Sequence, residues 1–504
     1  MKKIVKLFAA GAVIAMTASC DLNLIPEGSF VYDPEAVVEN ANDLNGISAG
    51  VLAQFRGIFG DVFDEPQDIA MDYFNAVSDY GNNYGGVHRG DVDLNAGNYD
   101  TRDNWRYPYL AMRTFNIAIN GAKTVPDGLQ AKAAVARGEA FTARAYAYLH
   151  MIRLFAKPYG ASSSTDLGLP LVLEYDQNAR PERATVAAIY AQIKSDLDSA
   201  AVLLAGVKGS VRAERPTIDF VNALYARYYL DIKDNAQAAA YAHKVIDSGT
   251  YKLASTADAM EAEFVNDKGT EAILQFYGDL QEGGYMAHTY YAGMSNNAEK
   301  GLVYRPYFIP SKALVEAYED GDLRKALWFS DGTYPVLING SFYENNDVVI
   351  FTRFTGNPTL QTSAVPNTAQ MIKPILLSEM YLIAAEAELS SNAAAAKADL
   401  NALQAARGAS KTEATLENVQ NEWFRETVGL GLRISCLKRW GLGYGARAGQ
   451  TFSAEKGIIV TGANFDGKTM AATDYHFVWP VPLHEIQVNS NLVQNEGYTA
   501  VEVK

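Results

Sequence analysis

Arg137-Gly138-Glu139-Ala140-Phe141-Thr142-Ala143-Arg144-Ala145-Tyr146-Ala147-Tyr148-Leu149-His150-Met151-Ile152-Arg153-Leu154-Phe155 is the stretch on which the fold turns. From Lys132 to Phe155, the residues Phe141, Ala145, Tyr148, Ile152 and Phe155 recur at spacings of four and three, which is one face of a helix. Ala140, Ala143 and Ala147 mark a second face of small residues. A helix with one bulky and one small face packs against neighbours on two sides, so the chain is expected to be built of stacked helices.

The same reading extends downstream. Thr185 is a candidate N-cap for a helix in which Val186, Tyr190, Ile193, Leu197, Ala200 and Leu204 repeat the pattern. Residues 217 to 232 and 236 to 248 read as a helix pair closed by Gly249. Residues 375 to 390 and 393 to 407 read as another, closed by Gly408, with Leu376, Met380, Ile383 and Ala387 on the inner face of its first helix. Alanine-rich helices in pairs with short links suggest tetratricopeptide-like units, which stack and share a continuous core.

Two stretches break the periodicity. In residues 60 to 104, Gly, Asn, Asp and Tyr crowd together, as in Asp79-Tyr80-Gly81-Asn82-Asn83-Tyr84-Gly85-Gly86, the chemistry of turns. Residues 255 to 370 carry Tyr285, Tyr290, Tyr291, Tyr304, Tyr307, Trp328, Tyr334 and Tyr343 among glycines, prolines and asparagines. Irregular connections of that length in a compact domain are usually functional.

The amino terminus reads as a lipoprotein signal. Met1-Lys2-Lys3-Ile4-Val5-Lys6 is positive, Leu7 to Met16 is apolar, and Thr17-Ala18-Ser19 offers small residues before Cys20. An apolar run of about ten residues is too short to span a hydrocarbon core as a helix. Residues 1–19 are therefore expected to be removed, and Cys20 to carry a lipid such as palmitate. The alternative is an ordinary secretory signal ahead of an unmodified cysteine. Residues 20–45, beginning Asp21-Leu22-Asn23-Leu24-Ile25-Pro26-Glu27-Gly28 after the cysteine, read as a tether.

The chain of 504 residues is 48% hydrophobic, enough for a substantial core. Its formal net charge is −15, and loss of the three lysines in residues 1–19 makes the mature value −18. A chain so acidic has no general attraction for nucleic acid, whose binding rests on phosphate neutralisation. The second cysteine, Cys436, lies among aliphatics and reads as a small buried hydrophobe.

Motifs for chemistry are weak. The histidines His88, His150, His243, His288, His476 and His484 fall in no metal-ligand spacing, and no nucleophile elbow is present. Gly441-Leu442-Gly443-Tyr444-Gly445 lacks the strand and helix that a phosphate loop needs. Asp91-Val92-Asp93-Leu94-Asn95 resembles the start of a calcium loop, but Ala96 stands where glycine is needed and Arg102 where the bidentate glutamate is needed. The expectation is no metal, no cofactor and no enzymatic activity.

Across its signature segments the chain resembles the SusD/RagB family of outer-membrane nutrient-uptake lipoproteins nearly end to end. Arg137-Gly138-Glu139-Ala140, Arg144-Ala145-Tyr146 and Arg153-Leu154-Phe155 look like that family's first signature, followed by Gly168-Leu169-Pro170-Leu171. Arg183-Ala184-Thr185-Val186 through Ile189-Tyr190 resembles the second, and Glu379-Met380-Tyr381-Leu382-Ile383-Ala384-Ala385-Glu386-Ala387 the third. Trp479-Pro480-Val481-Pro482, Glu485-Ile486, Gln494-Asn495 and Gly497-Tyr498 resemble the closing motif. Trp105, Tyr109 and Asn116 resemble a further motif and read as scaffold packing. The chain departs from the family where Leu430 and Cys436 stand in place of two carboxylates, which reads as local repacking.

The resemblance implies a mainly α fold: one domain over residues 46–504, with about four tetratricopeptide-like helix pairs and an irregular, loop-rich ligand region. It implies lipid anchoring at the outer membrane with exposure at the cell surface, a SusC-like TonB-dependent transporter as partner, and capture of a nutrient without chemistry. Aromatic faces suit the apolar face of a sugar, and Asn, Asp and Arg its polar edges. The expected ligand surface therefore draws on Tyr73, Asp79, Tyr80, Asn82, Asn83, Tyr84 and Arg89 from the first irregular stretch, and Tyr290, Tyr291, Tyr304 and Trp328 from the second. Oligosaccharide is the favoured ligand. The alternatives are oligopeptide capture by the same fold, as in RagB-type members, and a tetratricopeptide-like adaptor that binds only proteins.

Overall fold

The computed structural model describes residues 38–90, 94–281, 283, 285–329, 332–344 and 347–499. The signal, Cys20, most of the tether and Asp91-Val92-Asp93 lie outside the described residues. Helices of eight residues or more among those described are α1 (Ala41–Arg56), α2 (Tyr99–Gly121), α3 (Gln130–Phe155), α4 (Val186–Leu203), α5 (Ile218–Asp231), α6 (Asn235–Ile246), α7 (Ala257–Phe264), α8 (Leu377–Glu388), α9 (Ala393–Ala406), α10 (Leu416–Glu426) and α11 (Arg433–Trp440). α1 opens inside the stretch expected as tether, because Asn40 caps it by accepting from the Asn42 and Asp43 amides.

The helices form an unbroken run of neighbours: α2 packs on α3, α3 on α4, α4 on α5, α5 on α6, α6 on α8, and α8 on α9 and α10. This is the helical, tetratricopeptide-like stack the periodicity predicts. The small face of α3 is why its neighbours come close. Ala140, Ala143 and Ala147 have no exposed surface, and a Cβ on Gly138 would lie 2.7 Å from Leu204 Cγ at the end of α4. Thr185 caps α4 by accepting from the Ala188 amide at 3.2 Å, and Gly249 and Gly408 take the left-handed conformation expected beyond a helix end.

Buried ion pairs tie the stack together. Arg144 of α3 bonds Asp196 of α4 at 2.6 Å and Asn116 of α2 at 2.8 Å. Arg153 of α3 holds Asp231 of α5 at 2.7 Å. Arg227 of α5 is bidentate to Glu379 of α8, with both side chains 5% exposed, which locks the stack across the long insertion between α6 and α8. The motif residues of the sequence thus hold helix against helix. The closing motif does the same work at the end of α3. The Trp479 amide donates to Leu154 O, and Asn495 donates to Phe155 O and Trp479 O while accepting from Arg183.

The two apolar departures are accommodated locally. Cys436 is buried with its Sγ 3.7 Å from Arg439 Nη2, and that guanidinium is already bidentate to Glu386 at 2.8 Å. Burial pushes the Cys436 thiol above its usual pKa, so it behaves as a small hydrophobe. Leu430 lines a cavity of about 50 Å³ beside Arg227, which has its carboxylate in Glu379.

Short strands organise the irregular stretches: β1 (Phe74–Ala76), β2 (Leu167–Pro170), β3 (Arg183–Thr185), β4 (Tyr285–Ala287), β5 (Met294–Asn297), β6 (Gly301–Tyr304), β7 (Phe308–Pro310), β8 (Val336–Ile338), β9 (Ser341–Tyr343) and β10 (Ala369–Met371). β5, β6, β8 and β9 form a four-stranded sheet in that order, and β1 pairs antiparallel with β7 through Asn75 opposite Ile309. On the other side of β1, Val460 N donates to Ala76 O. Three segments far apart in sequence are thereby laid side by side. No helix among the described residues is long and apolar enough to cross a membrane.

Asp68 supplies a test of this packing. It is fully buried, and its Oδ2 accepts from the amides of Gly429 at 2.6 Å and Gly431 at 3.2 Å. Burial pushes its pKa up to about 7, against those two hydrogen bonds. A folded-state pKa above the unfolded one contributes stability that is present at low pH and lost as pH rises through about 7. Asp68→Asn keeps an acceptor and cannot ionise. Between pH 4 and 7 its stability is expected to fall less steeply than wild type, by up to about 1.4 kcal/mol per pH unit. Urea unfolding across that range checks it, and parallel slopes would refute it.

Candidate functional site

The residues after β1 turn sharply, and Asn and Gly are there because the backbone is left-handed: φ is 65° at Gly81, 59° at Asn82 and 50° at Tyr84. The turns are closed by Asn83 N to Tyr80 O at 3.2 Å and Gly85 N to Asn82 O at 3.1 Å, with Asn83 Nδ2 also donating to Tyr80 O at 2.6 Å. A short helix, Gly85–Arg89, follows. It returns Arg89 to the turn, where Nη1 donates to Tyr80 Oη at 2.6 Å and Asn82 Oδ1 at 2.7 Å. The fit requires glycine at position 85, since a Cβ there would lie 2.0 Å from Asn82 Oδ1. His88 points inward from the same helix. Burial first, then Arg447, holds its pKa well below the ordinary value, so it is neutral.

The other two segments close around this turn. Tyr84 packs at 4.8 Å against Tyr290, which packs at 5.5 Å against Tyr307. Phe465 comes from the third segment, with the Arg89 guanidinium 5.8 Å from its ring and Tyr80 edge-on at 6.3 Å. Asp79 Oδ2 accepts from Asn339 N at 3.0 Å. Asn339 and Gly340 are the left-handed pair of the two-residue turn between β8 and β9, so this bond ties the four-stranded sheet to the turn. Asn82 is exposed, and Asp79, Tyr80, Asn83, Arg89, Tyr290, Tyr307 and Phe465 are half-buried. The surface offers a guanidinium, amides, a carboxylate and phenols beside aromatic rings. It suits recognition of a ligand with apolar faces and hydroxyl edges.

Seven of the expected ligand residues therefore fall in one neighbourhood: Asp79, Tyr80, Asn82, Asn83, Tyr84, Arg89 and Tyr290. Tyr84 is only 6% exposed and lies beneath the others. Four are placed elsewhere. Tyr73, Tyr291 and Trp328 have no exposed surface, so the interior takes them. Tyr73 packs at 4.7 Å on Phe424 and donates to its carbonyl, and Tyr291 stacks at 4.5 Å on Phe74. Trp328 lies against Phe264 and under the Arg353 guanidinium, 4.1 Å from the ring. Tyr304 is 7% exposed in β6, edge-on to Tyr334. Sequence reasoning did not select Tyr307 or Phe465. The signal for Phe465 was available: Ala463-Asn464-Phe465-Asp466-Gly467 has the same mix of turn residues and an aromatic as residues 79–86.

Two family models match this chain. One, described as "Starch-binding associating with outer membrane", covers residues 50–230, and the SusD family model covers residues 334–498. Solved structures share the fold. A SusD superfamily protein of Bacteroides thetaiotaomicron is 22% identical with a TM-score of 0.71, over 90% of this chain and 99% of that one. A putative sugar binding protein of Bacteroides vulgatus is 21% identical with a TM-score of 0.73, over 92% and 100%. Surface glycan-binding protein A of Bacteroides thetaiotaomicron, in complex with laminarihexaose, is 17% identical with a TM-score of 0.68, over 90% and 99%. No curated protein matches. The architecture is the SusD-like helical fold. The chain belongs to the SusD/RagB family, whose members associate with the outer membrane.

Proposed function

We propose that this protein is a surface-exposed lipoprotein that captures an oligosaccharide and delivers it to a SusC-like TonB-dependent transporter. Residues 1–19 direct export and are removed, Cys20 carries the lipid, and the segment before α1 is the tether to a single binding domain. The import step draws its energy from the transporter, so the lipoprotein needs no catalysis of its own. Support comes from the family, and from a relative of the same fold bound to laminarihexaose.

One observation carries the reading: Arg89 clamps Tyr80 and Asn82 at the surface beside Phe465. Tyr80 and Arg89 supply ring and donors without forming the core. Calorimetric titration with a panel of glycans, β-1,3-glucan oligosaccharides first, identifies a binder. Tyr80→Ala and Arg89→Ala are each expected to weaken it roughly tenfold or more, the loss of one buried ring or one charged hydrogen bond. Unchanged affinity in both variants would sink the placement, and a panel in which only peptides bind would replace oligosaccharide by oligopeptide.

A further inference from the structure

The helical stack carries a second polar cluster on elements that take no part in the ligand surface. His243 lies in the last turn of α6, Glu388 ends α8, and Asp399 lies within α9. Nε2 of His243 is 3.5 Å from Glu388 Oε1 and 3.4 Å from Asp399 Oδ2, and one ligand atom from each residue lies within 4.8 Å of the others. A tetrahedral zinc site with nitrogen and oxygen ligands at ~2.0–2.2 Å places its ligand atoms roughly 3.3–3.5 Å apart. The two distances from the imidazole match those edges.

Beyond the imidazole, two carboxylate oxygens of the cluster find no hydrogen bond. Asp399 is 8% exposed, and its Oδ2, aimed at the imidazole, is buried and accepts no hydrogen bond; Glu388 Oε2 is in the same condition. Buried carboxylate oxygens without donors are costly. Two carboxylates face one imidazole. Lys244, the next residue along α6, lies over the Tyr241 ring, 3.7 Å from its centroid.

We propose that His243, Glu388 and Asp399 bind a divalent transition metal of the zinc type, with the fourth position open to water. An imidazole with two carboxylates selects such a metal over calcium or magnesium, which take all-oxygen sites. Bound there, the ion clamps α6 to α8 and α9. These helices are adjacent in the stack but separated in sequence by the long insertion that carries α7 and the four-stranded sheet. The role is structural and independent of the ligand surface.

The test uses the full chain purified in detergent, stripped with a chelator and titrated with zinc chloride. Wild type is expected to retain one equivalent of zinc more than His243→Gln after desalting, and to gain thermal midpoint on zinc addition where His243→Gln gains none. The same His243→Gln comparison by competition with a zinc dye is expected to show at least tenfold weaker binding. His243 is partly exposed, so this variant folds where a change at Asp399 risks the core; Asp399→Asn provides the second arm. Equal zinc content and equal melting in wild type and His243→Gln would overturn the proposal, as would no zinc uptake by wild type.

Discussion

Glu426→Ala is expected to destabilise the protein by about 3–5 kcal/mol, because it removes the carboxylate that Arg407 and Arg324 share and leaves a donor on each buried guanidinium without its acceptor. Glu426 of α10 accepts from Arg407 at 2.6 Å and from Arg324 at 2.9 Å, and all three side chains are at most 1% exposed. Arg407 also bonds Glu271 at 2.7 Å, and Arg324 bonds Glu422 at 2.6 Å and Asp322 at 2.8 Å. Burial alone would raise the Glu426 pKa, but Arg407 and then Arg324 outweigh it and hold the carboxyl at about 2. The sign follows: a pKa below its unfolded value contributes stability that is present above the ordinary glutamate range and lost as pH falls through about 2. The network therefore makes the fold acid-sensitive only at low pH. Urea unfolding followed by far-ultraviolet circular dichroism measures the loss, and a cost below about 1 kcal/mol would show that the charges are not mutually dependent. Replacing several members together with apolar groups is expected to cost far less than replacing Glu426 alone.

Trp328→Ala is expected to cost about 3–5 kcal/mol by emptying a core site, and to leave the ligand affinity of the folded fraction unchanged. The indole has no exposed surface and is enclosed by Phe264 and Arg353, so its removal takes away packing and a cation–π contact together. Thermal melts and titration of the same sample separate the two effects. Lost affinity with an unchanged melting midpoint would return Trp328 to the ligand surface and remove it from the core.

Helix positions were legible because they follow from local rules. The four-three spacing of Tyr148, Ile152 and Phe155, the Thr185 cap and the glycines at 249 and 408 are each decided by residues within one or two turns. The family signatures were legible as patterns, and the structure shows why they are what they are: Arg144, Arg153, Glu379 and Glu386 are halves of buried ion pairs. Their partners Asp196, Asp231, Arg227 and Arg439 lie on other helices, which no local pattern identifies. The loop aromatics were the harder case. Tyr290 and Tyr291 are adjacent in one short helix, yet Tyr290 faces the candidate surface and Tyr291 stacks on Phe74 of β1. Outside long periodic elements, nothing in the neighbouring sequence distinguishes an inward ring from an outward one.

A stack of amphipathic helices, their caps and the two turn-rich stretches that interrupt them are all written locally, since each depends on periodicity or on the conformational freedom of a few adjacent residues. Other features exist only once the chain is folded: α6 and α8 become neighbours, Arg89 meets Tyr80 and Phe465, Tyr84 meets Tyr290, and His243 meets Glu388 and Asp399. Those meetings join residues that are in most cases tens to hundreds of positions apart. Burial of the shared core and pairing of β1 with β7 select them, and both are properties of the folded chain as a whole.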